Sequence, residues 1–297
     1  MSDSTITRKS LLYLSKVEYG GWTVNHVLGC AHGCRYPCYA MTLARRTGRI
    51  AGYDEWVQPK VVANALELLE VELYKFSGEI DMVHLCFTTD PFMYDRDGQQ
   101  PIRDVASMSI NIIRRLNKEG IPVTTLTKGV YPEEFVQAVA DLDPSNQYGI
   151  SLVSLSESYR RQWEPRAASA TQRIASLKSL STAGARTWVS AEPYPTPNID
   201  ETASDAITLL DAVGFVDKIV FGKWNYNSQV TSYERETGFY AGVACQVVDW
   251  CSKNGKTLHI KSGTPLSVSS SSNFLKNDAT IASDNKCFQL TAMPHCR

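Results

Sequence analysis

Three thiols lie close together near the start of this chain. Cys30, Cys34 and Cys38 fall in the segment Gly29-Cys30-Ala31-His32-Gly33-Cys34-Arg35-Tyr36-Pro37-Cys38-Tyr39-Ala40. Thiolates are soft ligands that select zinc, copper(I) or iron–sulfur clusters. Three in one compact loop can hold three irons of a [4Fe–4S] cluster, leaving the fourth iron open to a ligand from solution. Tetrahedral zinc is the second reading, with His26 or His32 as fourth donor. Structural zinc sites usually pair two Cys-x-x-Cys knuckles, which this chain lacks. The bland reading is three unligated buried thiols. Cys86, Cys245, Cys251, Cys287 and Cys296 are scattered and lack cluster spacing, although Cys287 and Cys296 with His295 form a looser grouping of metal donors.

A loop of this kind needs elements that hold it in place. Short β-branched or aromatic runs mark candidate strands at Trp22–Cys30, Ile80–Thr89, Val123–Lys128, Tyr148–Ser154, Thr187–Glu192, Lys218–Gly222 and Thr257–Lys261. Between them, apolar residues recur three and four apart, which predicts helices. Examples are Val61–Phe76, Arg103–Lys118, Pro132–Ala140, Ala170–Ala183, Ala203–Val213 and Phe239–Lys253. Strand, helix and strand alternate about six times, which implies a parallel sheet with helices outside. The expected fold is α/β, a partial (β/α)6-type TIM barrel with a C-terminal extension. Its expected parts are an N-terminal extension over 1–20, the barrel over 21–262 and a tail over 263–297, with Ser267–Asn273 as a surface loop. Chemistry then belongs at the C-terminal ends of the strands, where the cysteine loop already lies.

Composition bounds the rest. The chain has 297 residues, 43% hydrophobic and 21% charged, which fits a soluble globular protein and excludes disorder, collagen and coiled coil. One α/β barrel of about 250 residues would use that length as a single domain. Lys and Arg total 30 against 31 Asp and Glu, a net charge of -1. That argues against a strongly basic nucleic-acid surface but leaves room for a local patch. No run reaches the roughly 18 apolar residues of a membrane span, and the first residues lack a signal-peptide core. The expected location is the cytoplasm, where cysteines stay reduced or metal-bound.

The motif set resembles the radical S-adenosylmethionine (radical SAM) superfamily, in the branch that includes spore photoproduct lyase and photolyase-named relatives. The family spacing is Cys-x3-Cys-x2-Cys followed by an aromatic residue. Here it is Cys-x3-Cys-x3-Cys, with Pro37 as the extra residue and Tyr39 as the aromatic. The resemblance continues through Thr88-Thr89-Asp90-Pro91-Phe92, Thr127-Lys128, Gly149-Ile150-Ser151-Leu152, Glu164-Pro165-Arg166-Ala167 with Arg173, Ala183-Gly184 and Glu192-Pro193-Tyr194-Pro195.

The resemblance implies a [4Fe–4S] cluster on Cys30, Cys34 and Cys38, and S-adenosylmethionine on the open iron. One electron splits the sulfonium to a 5′-deoxyadenosyl radical, which abstracts hydrogen from substrate. The ligand carboxylate needs a cation or hydroxyls, for which Lys128 with Thr89 and Ser151 are the candidates. Glu192 is expected near the ribose hydroxyls, or else in an ion pair with Arg166 or Arg186. Tyr39 is expected near the adenine. Asp90 either orients the loop or caps a turn. Glu164, Arg166 and Arg173 read as a structural pairing more than an anion site. The related lyase uses a cysteine three residues before this aspartate as hydrogen donor. Cys86 lies four before Asp90, so alternation along a strand turns it away from Thr89 and makes it a buried structural residue.

Three functions compete. The first is a radical SAM enzyme, a lyase or transferase, acting on a nucleic acid or nucleotide, with Arg45, Arg46, Arg49, Arg160 and Arg161 as local cations. The second is radical SAM modification of a peptide, protein or small metabolite. The third is a non-enzymatic metal-binding protein. Either enzyme needs S-adenosylmethionine and an electron donor such as a flavodoxin or ferredoxin.

Overall fold

The computed structural model describes residues 5–18, 20–95, 97, 99–266 and 289–290. The grouping of Cys287, His295 and Cys296, and the loop Ser267–Asn273, lie outside those residues. The core is one sheet of parallel strands in sequential order. They are β1 (Trp22–Val24), β2 (Val83–Leu85), β3 (Val123–Thr127), β4 (Gln147–Ser151), β5 (Arg186–Tyr194), β6 (Lys218–Lys223) and β7 (Thr257–Ile260). These are the seven strands expected from the sequence. Leu12–Leu14 pairs antiparallel with β1, and Gln289–Leu290 with β7. Among the described residues β1 and β7 do not pair with each other, so the sheet is an open, partial barrel.

Parallel strands are covered on both faces and read as unbroken apolar runs. Val83 and Leu85 of β2, and Ile150 of β4, are all completely buried. The helices cover them with one apolar face each. Arg103–Lys118 buries Val105, Ile112, Ile113 and Leu116 and leaves its charged residues outside. Ala170–Thr182 starts with a capping box, Ser169 and Gln172 bonding each other's backbone N–H. Its length matches the expected helix almost residue for residue, as do Arg103–Lys118 and Phe239–Lys253.

Three differences from expectation lie near the cysteine loop, each with a local reason. The first expected strand breaks after Val24, because Asn25 turns its side chain to accept from the Thr88 N–H and its carbonyl to accept from Arg8. Val27–Leu28 then joins Lys60–Val62 and Thr5–Ile6 in a small second sheet. The expected helix from Val61 therefore starts only at Ala65. The second expected strand ends at Leu85, because Cys86 takes a left-handed φ of 66°. A helix, Tyr39–Arg46, follows the third cysteine directly. No described helix is long and apolar enough to cross a membrane.

Candidate active site

The cysteine loop leaves Leu28 and is held from outside. Gly29 has φ 90°, and a Cβ there would meet the Trp56 carbonyl oxygen at 2.6 Å, so only glycine fits. The Cys30 N–H donates to that same carbonyl at 2.8 Å. The Arg35 N–H donates to the Trp163 carbonyl at 2.8 Å, and the Tyr53 hydroxyl to Gly33 O at 2.8 Å. With the backbone so anchored, Cys30, Cys34 and Cys38 all line one cavity of about 390 Å³. Burial, with repulsion from neighbouring groups, pushes the Cys30 thiol well up, and burial above all pushes Cys34 to about 12. Buried thiols such as Cys30 and Cys34 bind a metal as thiolates, the added cation compensating their charge.

The opposite walls come from the C-terminal ends of the strands, as expected. Thr89, Lys128, Ser151 and Glu192 all line the same cavity, and Tyr39 closes it beside Cys38. The loop after β2 meets the end of β3 through Asp90. Its Oδ1 accepts from the Phe92 N–H at 2.9 Å and the Thr127 hydroxyl at 2.7 Å. Its Oδ2 accepts from the Lys128 N–H at 2.8 Å. Asp90 therefore both caps its own turn and orients the loop.

Lys128 sends its ammonium inward. Nζ lies 3.8 Å from Glu164 Oε1 and 5.7 Å from the centre of the Tyr36 ring. Neither contact is a hydrogen bond, so the ammonium keeps its donors. Glu164 is bound elsewhere, by Arg173 at 2.6 Å and the Tyr36 hydroxyl at 3.2 Å. Burial works against its charge, but Arg173 and Lys128 hold its carboxyl below the ordinary value. Arg173 spends its remaining donors on the Ala168 and Ser151 carbonyls. The pair is a buried strut under the cavity, the structural role expected for it. Arg166 stands exposed and takes no part in it.

Two expected residues carry partners that shape their use. The Thr89 hydroxyl donates to the Gly29 carbonyl, which ties the β2 end to the cysteine loop and leaves its lone pairs for a ligand. Glu192 does form an ion pair, but with Lys261 at 2.8 Å rather than with Arg166 or Arg186. Gly222 lies between them, and a Cβ there would sit 3.1 Å from both side chains. Burial outweighs Lys261 and keeps the Glu192 carboxyl above its ordinary value. The Tyr39 hydroxyl donates to the Phe87 carbonyl across the cavity rim.

Neither histidine completes a zinc site. His32 Nε2 accepts the Tyr94 N–H at 2.9 Å, so its proton is on Nδ1, facing Asp90 Oδ2 at 3.4 Å. Ser109 donates its hydroxyl to the Pro91 carbonyl, so His26 Nε2 donates to Ser109 at 2.8 Å. His26 Nδ1 then faces the Cys86 thiol at 3.5 Å. Among the described residues no three His, Cys, Asp or Glu converge as a mononuclear metal site would need. A cubane spreads its irons and needs only the three thiols, so the donor set suits the cluster.

A sequence model of the radical SAM superfamily matches residues 24–206. The chain belongs to the radical SAM superfamily. Its cofactors are those of that superfamily, a [4Fe–4S] cluster and S-adenosylmethionine. No curated protein matches the chain. Among solved structures, spore photoproduct lyase complexed with dinucleoside spore photoproduct is 15% identical, with a TM-score of 0.52, covering 78% of this chain and 65% of that one. The chain thus spans less than two thirds of that lyase. The radical SAM methyltransferase TsrM from Kitasatospora setae is 14% identical, with a TM-score of 0.43, covering 67% of this chain and 35% of that one.

Within this radical SAM chain the strand stops one residue before Cys86, which takes a left-handed backbone. Cys86 is buried, as expected, with its Sγ 3.5 Å from His26 Nδ1, and the residue also borders the cavity. Tyr36, Ser190 and Lys261 also line it and were not among the expected residues. Tyr36 was visible as the aromatic residue inside the longer Cys-x3-Cys spacing. Tyr36 points inward to Glu164 and Lys128, and Cys38 lines the cavity beside it. Ser190 was visible only through register, since it pairs across from Ser151.

Proposed function

We propose that this protein is a radical SAM enzyme in which Cys30, Cys34 and Cys38 hold the [4Fe–4S] cluster and the cavity walls bind S-adenosylmethionine. When bound and reduced, the cluster supplies one electron that splits the sulfonium to methionine and a 5′-deoxyadenosyl radical for hydrogen abstraction. The chain's own residues bind and orient. The Lys128 ammonium faces the cofactor carboxylate, with the Ser151 hydroxyl beside it and Thr89 offering lone pairs to the amine. Glu192, positioned by Lys261, accepts from ribose hydroxyls, and Tyr39 lies against the adenine. Phe87 and Leu126 give the cavity dry walls, which shield a reactive carbon-centred species. The catalytic unit runs over residues 21–262, and the enzyme works in the cytoplasm with a flavodoxin or ferredoxin as reductant.

The observation that carries this reading is convergence. Eight residues drawn from five separate stretches of sequence line one cavity. Anaerobic reconstitution followed by assay for 5′-deoxyadenosine tests it. Full cluster loading without any 5′-deoxyadenosine would favour a non-enzymatic metal protein.

We read the substrate as a nucleic acid or nucleotide. Lys223 lines the cavity without an ion pair among the described residues, and Tyr226 at its mouth is 88% exposed. A free cation beside an open aromatic face suits a phosphate and a base. Salt-dependent binding of oligonucleotides supports this reading; its absence points to a peptide, protein or metabolite.

A further inference from the structure

Side chains alternate along a strand. In β2, Val83 and Leu85 belong to the core under the helices, while His84 between them lines the cavity. His84 sits deeper than the residues assigned to the cofactor. It pairs with Thr124 of β3, four residues before Lys128, or about 13 Å along a strand. Its ring stacks on Phe87, with centroids 3.7 Å apart and planes 6° from parallel, and meets the edge of Trp188 at 6.4 Å. Trp188 can lie there because residue 149 is glycine, where a Cβ would meet the indole at 2.4 Å. Aromatic rings thus hold the imidazole in the floor of the cavity.

What this ring lacks is a hydrogen-bond partner. His84 Nδ1 is buried and bonds no described group. His26 and His32, just as buried, each have a polar partner at both nitrogens. Other buried polar atoms without partners, such as the Tyr159 hydroxyl and Asp200 Oδ2, belong to residues away from the cavity. Among the described residues His84 alone both lines the cavity and carries such an atom. Packing does not account for the residue type, since a phenylalanine would fill the space without burying an unbonded polar atom. Burial above all, with the Lys218 charge, lowers the imidazole to about 3, so the ring is neutral. A neutral imidazole offers one donor and one acceptor.

We propose that the His84 imidazole binds an uncharged hydrogen-bonding edge of the substrate, the base of a nucleotide, at the floor of the cavity. The inference rests on the reading that the substrate is a nucleic acid or nucleotide. In the proposed site the cofactor's carboxylate and amine meet Lys128, Ser151 and Thr89 at the strand ends, and its adenine meets Tyr39 at the rim. The group that reaches His84 therefore belongs to the other molecule in the cavity. A neutral ring packed on Phe87 cannot offset a buried phosphate, whose charge suits Lys223 at the mouth instead. A base edge carries donors and acceptors without net charge, which matches what the imidazole offers.

The test uses the full chain with reconstituted cluster and S-adenosylmethionine, and the four deoxynucleoside 5′-monophosphates as probes in equilibrium binding. All four share the phosphate and the sugar, so differences among them report the base edge. Wild type should prefer one base at least fivefold over the weakest. His84→Phe, matched for iron content and melting temperature, should lose that preference while binding the weakest nucleotide within twofold of wild type. His84→Asn and His84→Gln put an amide where Nδ1 or Nε2 stands, and one of the two should keep the preferred base. An unchanged preference in His84→Phe overturns the proposal. So does an equal loss for all four nucleotides in all three variants, the mark of a structural role. If His84→Phe does not load iron, the other two variants decide, and the same preference in both, kept or lost, overturns the proposal. Binding without preference in wild type leaves the nucleotide reading standing and defeats the inference. No binding of any nucleotide to wild type defeats that reading and the inference together.

Discussion

Replacing Lys128 by alanine probes the cavity at its most specific contact. The backbone N–H at 128 still donates to Asp90, so the loop keeps its anchor. Glu164 keeps Arg173 at 2.6 Å and Tyr36 at 3.2 Å, so no buried charge is stranded. The stability cost should fall well below the roughly 3–5 kcal/mol of breaking a buried pair outright. The cofactor loses more. A hydrogen bond to a charged group contributes about 1.5–3 kcal/mol, or roughly ten- to a hundredfold in affinity. Lys128→Ala should therefore bind S-adenosylmethionine ten- to a hundredfold more weakly at equal iron content. Lys128→Arg should not restore it, because the ammonium sits in a slot between the Tyr36 ring and Glu164 that a planar fork overfills. The assay is equilibrium binding of S-adenosylmethionine to reconstituted wild type and variants. Equal affinity in wild type and Lys128→Ala would refute the assignment and leave the pocket resting on the cysteine loop.

Other outcomes follow from the same contacts. Arg173→Met removes the strongest partner of Glu164, leaving a 3%-exposed carboxylate with Lys128 at 3.8 Å, and should cost about 3–5 kcal/mol in urea denaturation; a loss below about 1 kcal/mol would count against the strut. Replacing Cys30, Cys34 and Cys38 together by alanine should abolish the brown colour and the iron of anaerobically prepared protein, and retained iron would sink the ligand assignment. His26 and His84 are buried and neutral, with burial lowering each from 6.5 to about 3. The unfolded chain takes up their protons below pH 6.5 and the folded chain does not, so stability is full above that pH and falls as pH drops toward 3. At pH 5 each should cost about 2 kcal/mol at ~1.36 kcal/mol per pH unit; His84→Phe should flatten this part of a pH series of denaturation midpoints, and an unchanged slope would show that His84 is not the source.

Much of the fold was legible because parallel strands and their covering helices leave strong periodic signals. The whole of Arg103–Lys118 follows from apolar spacing alone. That Lys128, Ser151 and Glu192 share one cavity was legible because each lies at or near the C-terminal end of a parallel strand. What was hidden depends on backbone conformation or on pairing across strands. Nothing in the residue types announces that Cys86 turns left-handed and ends the strand there, although its burial beside His26 was expected. The partner of Glu192 was missed for a related reason. Lys261 is distant in sequence and reaches Glu192 across β6 only because position 222 is glycine. The helix after Cys38 escaped notice because it buries only Ala40 and Ala44, too small a stripe to show as an apolar period.

Asp90 explains how the parts of the cavity stay in step. The cysteine loop and Lys128 are far apart in the chain, yet in the proposed site a cluster-bound ligand would meet both at once. One carboxylate, 6% exposed, fixes each of them. Through Oδ2 it takes the Lys128 N–H at 2.8 Å and faces the His32 Nδ1 proton at 3.4 Å. His32 lies between Cys30 and Cys34, and burial lowers it to about 4, so it acts as a neutral donor and adds no charge to the loop. Its other nitrogen accepts the Tyr94 N–H, which prevents the ring from turning. The cysteine loop and the Lys128 backbone thus both meet Asp90, one through the His32 contact at 3.4 Å and the other through a hydrogen bond at 2.8 Å. Such an arrangement holds a ligand by geometry prepared before binding, and preparation of that kind spares the ordering cost that a flexible loop would incur on each turnover. It also accounts for the residue types: at position 90 an asparagine would offer one acceptor oxygen where this arrangement uses two.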